Sequence, residues 1–441
     1  MRSTSWAYRA LTAAAASVTM LSACGVPAPS ASGSPSRPTA ISTAVPAGAV
    51  TLTLATSENA GLTKGLIAAF EELHPNIKIN LKYTDYKDYN SGLDLQLASD
   101  SSPDIVLLNM VGSTVKDNLL LNLDPYAHAY GWDKIYPSSQ LEQWQVGSDG
   151  ATLGTGHLWA APAGFSMVGV FYNKTIAAQL GITSPPTTTD EFQAYLRTAH
   201  AAGKLGLQLA NLDGHSAFIV QSYADAIDGA PSAAKWFNGV KGATFDTPGN
   251  IQGAQQLAEW AQDGETSAAA NGTDLPSAVS NFVKGQGLFL VDGNWDAAEI
   301  DKGMPNGVGF VPFPKASDGG KYAAVGGSIA YAISARSKNP DAAAAFLNFW
   351  SSSRAAQVQI ANGFMPTDSS SVIASDGLMG DLVDAWNKVN KDNGLVGFYA
   401  NVTASMNDTL TSASQSLMAG KTTAQQYISS VQADWTQTHG S

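Results

Sequence analysis

Trp295 closes the segment Asp292-Gly-Asn-Trp295, which directly follows a run of four apolar residues, 288–291. Such a run predicts a buried strand, and strand ends in open α/β sheets face the crevices where ligands bind. Trp295 therefore offers a flat, stiff apolar face and one N–H donor at such an end. The alternative is that it packs against the neighbouring helix. Two other strand ends carry polar groups. Glu58 follows the alternating run 50–54, and Asn109 follows the continuous apolar run 105–108. Glu58 is either a charge-assisted acceptor for hydroxyl protons or a solvated loop acid. Asp213, His215 and Phe218 lie in the loop after a strand predicted at 206–210. His215 reads more simply as a satisfied surface histidine. Flat rings with converging hydrogen-bond groups suit a small, hydroxyl-rich solute.

Covalent chemistry finds little support. No helix carries His-Glu-x-x-His, and no two histidines stand at metal-ligand spacing. Residues 326–330, Gly-Gly-Ser-Ile-Ala, miss the nucleophile elbow at the last position. Gly420-Lys-Thr422 lacks the earlier glycine of a phosphate loop, since position 415 is Gln. Cys24 is the single cysteine, which excludes an intrachain disulfide or a cysteine-based metal cluster. A binding protein with no cofactor and no metal is expected. Scattered acidic pairs leave a secreted glycoside-active enzyme as an alternative, if two carboxylates converge across a cleft. With 36 acidic and 24 basic residues and a net charge of −12, nucleic acid and anionic lipid are poor partners.

The N-terminus explains Cys24. Arg2 and Arg9 precede the nearly uncharged stretch 10–20, which is too short to span a bilayer. That is the layout of a secretory signal over residues 1–23. It ends in Leu-Ser-Ala-Cys24, which resembles the bacterial lipobox, so Cys24 is the expected lipidation site. Residues 24–49 are rich in Pro, Ser, Ala and Thr and read as a flexible tether.

The elements that position the candidate residues alternate in type. Strand 50–54 precedes helical spacing at Leu62, Leu66, Phe70 and Leu73, ended by Pro75. Ile77, Ile79, Leu81 and Tyr83 alternate as a strand, Tyr89, Leu93 and Leu97 mark a helix, and 105–108 is a doubly buried strand. That order predicts a parallel sheet with crossover helices, an α/β fold. Thr188 and Glu191 fit a capping box, and Asn339-Pro340 a helix start. From Asp381 onward the chain reads mainly as helix. Trp260 and Trp350 fall on apolar helical faces, and Asp104 and Asp124 read as turn and cap formers.

An ordered set of segments carries a family resemblance. It includes Phe-Glu-Glu-Leu-His-Pro-Asn-Ile-Lys-Ile at 70–79, Ser-Pro-Asp-Ile-Val at 102–106 and Asn-Leu-Asp-Pro-Tyr at 122–126. Trp-Ala-Ala-Pro at 159–162, Phe-Tyr-Asn-Lys at 171–174 and Pro185-Pro186 ahead of Glu191-Phe192 follow. Then come Phe-Val-Lys-Gly-Gln-Gly at 282–287, Asp-Gly-Asn-Trp at 292–295, Val-Pro-Phe-Pro at 311–314, Gly326-Gly327 and Ser-Lys-Asn-Pro at 337–340. The chain resembles the extracellular solute-binding proteins of sugar ABC importers, the group that includes maltodextrin-binding protein.

The resemblance implies a two-lobed periplasmic-binding-protein fold of the class II type, with the ligand cleft between lobes joined by hinge strands. Residues 50–164 with 328–365 would form the N-lobe, and 165–327 with 366–441 the C-lobe. Crossings are expected near 163–169, 325–330 and 365–369. Phe165, Gly327 and Phe364 then join the candidate ligand contacts, although both phenylalanines equally suit wedges in the hinge. The family commonly places a sugar-stacking aromatic in the segment of Trp295. Position 108 is Leu where maltodextrin binders carry an aromatic, which argues against a long malto-oligosaccharide. The implied function is capture of a carbohydrate, an oligosaccharide, and its delivery to ABC permease subunits. The protein would be a monomer, anchored by lipid to the outer face of the cell membrane. The alternative within the fold is a non-sugar solute.

Overall fold

The computed structural model describes residues 41–58, 60–109, 111–136, 138–147, 150, 153–366, 376–403 and 405–440. The signal segment, Cys24, the tether up to residue 40 and the end of the last expected crossing lie outside the described residues. Among the described residues no helix is long and apolar enough to cross a membrane.

Eleven strands can be named: β1 (Val50–Thr56), β2 (Ile77–Tyr83), β3 (Ile105–Leu108), β4 (Gln145–Val146), β5 (His157–Leu158), β6 (Ala161–Asn173), β7 (Leu207–Gln208), β8 (Phe289–Gly293), β9 (Val308–Pro312), β10 (Ala324–Ile333) and β11 (Leu395–Val396). The main sheet runs β2-β1-β3-β10-β6-β8-β7, with β11 beside β10 and β9 beside β6. β1 pairs in parallel with both β2 and β3. Helices Ala60–Leu73 and Tyr86–Ala98 make the crossovers. All four residues of β3 are buried, as expected of an interior strand with neighbours on both sides. Edge strand β2 alternates buried and exposed over its first four residues.

β6 and β10 organise the rest. The first half of β6 pairs with β10, from Ala161–Tyr331 to Met167–Gly326. Its second half, from Val168, turns to β8 and β9. β10 likewise leaves β11 at Val325 and reaches β3 at Ala330. The apolar core changes along the same strands. One cluster takes β1, β3, residues up to Ala163 and β10 from Ile329. A second takes Val168, Val170, Val325 and the C-terminal helices. A third takes Phe165, Met167, Met365 and Trp386.

Local signals act as the chemistry dictates. The capping box at Thr188 and Glu191 closes in both directions at the start of helix Thr189–Ala201. Asn339 differs from expectation: its side chain makes no cap bond, and Pro340 alone starts helix Pro340–Phe349. The strand expected at 206–210 is only the two residues of β7, because the chain then turns so that Asn211 N–H reaches Ala270 and Thr273 carbonyls. Trp260 and Trp350 are core residues. Asp104 Oδ2 accepts from Thr53 N–H at 2.9 Å and Asp124 Oδ1 from Leu158 N–H at 2.8 Å, both structural roles.

Candidate functional site

β8 ends at Gly293 and passes into a short 3-10 turn, Asn294–Asp296. Trp295 projects from this turn, half-buried, and packs against both the first and the second core clusters. Its ring lies 6.2 Å from Phe218 and 6.1 Å from Phe398, with those two 5.8 Å apart. All three rings are half-buried. They are mutually tilted by 50–63°, so they form a faceted apolar wall rather than a stack. His215 meets Phe218 edge-on at 5.3 Å. Enclosure pushes its imidazole pKa down to about 4, so the ring is neutral at pH 7. Its Nδ1 is buried without a hydrogen-bond partner among the described residues. The expectation of a satisfied surface histidine is therefore corrected: His215 is packed into the aromatic group.

Gly327 of β10 adjoins this wall. A Cβ there would stand 3.0 Å from Gln143 Oε1 and 4.0 Å from the Phe398 ring. Gln143 Oε1 accepts from Ser328 N–H at 3.4 Å, and Trp144 Nε1–H donates to Ser328 Oγ at 2.5 Å. Trp295, Phe218, Phe398, Gly327 and Gln143 thus come together from five separate chain segments.

The remaining candidates divide. Glu58 and Asn109 are half-buried just past the carboxyl ends of β1 and β3. Asn109 Nδ2 donates to Asn90 Oδ1 at 2.9 Å, and Glu58 N–H is held by Thr56 Oγ1 at 2.9 Å. Asp213 is exposed in the loop before helix Ala217–Ile227. Phe165 and Phe364 are corrected as stacking surfaces. Phe165 is 0% exposed, with its ring stacked on Trp386 at 5.5 Å, and Phe364 is buried in the first core cluster. Both are core residues at the expected crossings.

Two features escaped the sequence reading. Phe398 follows β11, a two-residue strand inside a stretch that reads as helix. Its signal was the aromatic pair Phe398-Tyr399 after Gly397. The second feature is an acidic pair flanking Trp295. Asp292 is fully buried; its Oδ1 accepts from Gly293 N–H at 2.7 Å. Burial, then the Asp296 charge, pushes its pKa well up, while the Trp295 indole acts in the opposite sense. Among the described residues no group of three or more His, Cys, Asp or Glu could hold a metal ion.

Comparison with known proteins agrees with this architecture. The chain is 23% identical over 311 residues to the "Multiple sugar-binding protein" of Streptococcus mutans, covering 67% of this chain and 69% of that protein. In fold it is similar to a "Chitin oligosaccharide binding protein", with TM-score 0.73, 19% identity, and coverage of 89% and 100%. It is likewise similar to "Maltose bound T. maritima MalE3", with TM-score 0.70, 16% identity, and coverage of 88% and 100%. The family model for the bacterial extracellular solute-binding protein matches residues 55–357. With that match spanning well over half its length, the chain belongs to the bacterial extracellular solute-binding protein family.

Proposed function

We propose that this protein captures a carbohydrate between two lobes and delivers it to the permease of an ABC importer, by binding rather than turnover. The observation that carries the reading is the wall of Trp295, Phe218 and Phe398 beside β10. Sugar rings present weakly apolar C–H faces, which half-buried aromatic rings match, while Gln143, Asn109 and Glu58 are polar groups suited to hydroxyls. The names of the relatives support the same class of ligand. We place the N-lobe at 50–164 with 328–365 and the C-lobe at 165–327 with 366–441; the change of core cluster along β6 and β10 supports these limits. Ligand touching both lobes would hold the closed form, because only differential affinity moves such an equilibrium.

A thermal-shift screen of the full chain tests this, with mono- and oligosaccharides against amino acids, amines and metal ions. Ligand at about 100 times its Kd adds about 2.7 kcal/mol to the native state, so the melting temperature rises and follows concentration. A saturable rise with one sugar class is expected. A rise only with a control solute would discard the carbohydrate assignment.

The lipid anchor at Cys24 is a separate proposal, supported by the signal layout and the lipobox-like Leu-Ser-Ala-Cys24. Cys24→Ala should leave sugar affinity intact and move the protein from the membrane fraction to the medium. Retention in the membrane fraction would refute the anchor.

A further inference from the structure

Asn294 stands between the Trp295 ring and the strands that cross between lobes. It is 0% exposed, and its side-chain amide is fully used. Oδ1 accepts from Met167 N–H at 2.9 Å, while Nδ2 donates to the carbonyls of Phe165 at 3.3 Å and Gly363 at 2.7 Å. Phe165 and Met167 belong to the part of β6 that pairs with Gly326 and Ser328 of β10. Phe165 also exchanges both backbone hydrogen bonds with Met365, at 2.8 and 2.9 Å. One side chain thus fastens the first crossing to the approach of the last.

The backbone adds a second contact. Gly363 has φ +85°, and a Cβ there would fall 2.5 Å from the Asn294 carbonyl oxygen. Only glycine lets the chain come this close in that conformation. The turn Asn294–Asp296 therefore presents an aromatic platform on one residue and grips the crossing with the one before it.

We infer that Asn294 is a positioning residue that ties the Trp295 platform to the hinge, so that seating a ligand on Trp295 and bending β6 against residues 363–365 are one motion. The inference builds on the binding reading above, but its test uses ligand-free protein, so the two can fail separately. An amide is required on chemical grounds. It supplies one acceptor and two donors at once, and no other side chain of that size does so. Aspartate keeps the shape and the acceptor but faces two carbonyl oxygens with a negative charge. Alanine leaves an N–H and two carbonyls without the partner.

The test is a distance measurement by pulsed electron spin resonance on the full chain carrying Cys24→Ser. Spin labels go on cysteines replacing Leu95, 79% exposed in the proposed N-lobe, and Val240, 45% exposed in the proposed C-lobe. Asn294→Asp and Asn294→Ala are compared with unmodified Asn294 and with Asp434→Asn. Asp434 is a buried acid of helix Ala424–His439, bonded to Thr403 and Thr409. The expected result is a wider interlobe distance distribution for both Asn294 variants, with its centre displaced. Asp434→Asn should lower the melting temperature and leave the distribution unchanged. If the Asn294 variants melt earlier but their distributions superimpose on the parent's, Asn294 is only a buried polar group and the inference is wrong. Asn294→Asp, which keeps volume and acceptor, secures a folded sample should Asn294→Ala not fold.

Discussion

Trp295→Ala should reduce carbohydrate affinity by about 10- to 100-fold, the loss of roughly 1.4–2.8 kcal/mol expected when a central aromatic anchor is truncated. The magnitude follows from its position. Trp295 is half-buried, packs on both core clusters, and is the largest of the three rings in the wall. Removing it also deprives Phe218 and Phe398 of a neighbour at about 6 Å, so the platform loses its rigidity along with its area. Trp295→Phe keeps an apolar face and should retain most of the affinity. Phe398→Ala should have the next largest effect, since Phe398 touches both other rings and lies over Gly327. Isothermal titration calorimetry with the sugar found by the screen reads these differences directly. An affinity of Trp295→Ala equal to the parent's would remove Trp295 from the site.

The parts of this arrangement legible in the sequence share a physical origin. β1, β2 and β3 announced themselves because burial on one face or both writes a period of two, or an unbroken apolar run. Trp295 was legible because an apolar run ended four residues earlier, at position 291, and strand ends bound clefts. Phe165 and Phe364 show where that logic stops. Both lie at the expected crossing, yet which face of a crossing strand meets the cleft depends on how three segments pair. On β6 the ring of Phe165 turns to Trp386 and the third core cluster, whereas the Ser166 hydroxyl reaches the carbonyl of Gly327. One residue of register decides which face of the strand a side chain takes. Phe398 was hidden for another reason. Its strand, β11, is two residues long and gains its identity only by pairing with Ala324 and Val325, more than 70 positions earlier. Asp292 was hidden because an acid after an apolar run looks like the start of a solvated turn. In the folded chain it belongs to β8 and is covered completely.

Stability against urea should depend on pH through two buried acids, Asp225 and Asp292, and the sign can be worked out. Burial pushes the carboxyl pKa of Asp225 well up, with Asp228 adding to the effect, and that of Asp292 well up in the same way. Among the described residues neither Asp225 oxygen has a hydrogen-bond donor. Above the ordinary value of 3.8, the unfolded chain has released these protons while the native chain still holds them. The native state then binds more protons, so the stability they contribute is fully present below 3.8 and is lost as pH rises toward the folded values. Each such proton contributes about 1.4 kcal/mol per pH unit across the window. His215 acts in the opposite direction. Its pKa falls from 6.5 to about 4 on burial, so its contribution is complete above 6.5 and lost as pH falls through 4. Between 4 and 6.5 the two acids therefore oppose one histidine. Asp225→Asn and Asp292→Asn should each flatten the decline on the alkaline side. In the double variant the histidine acts without these two opposing acids, so the change of stability with pH across that window should be more positive than in the parent. Urea unfolding followed by tryptophan fluorescence, repeated from about pH 4.5 to 8, supplies the slopes. Parallel slopes for the parent and both single variants would mean that neither acid keeps its proton in the native state.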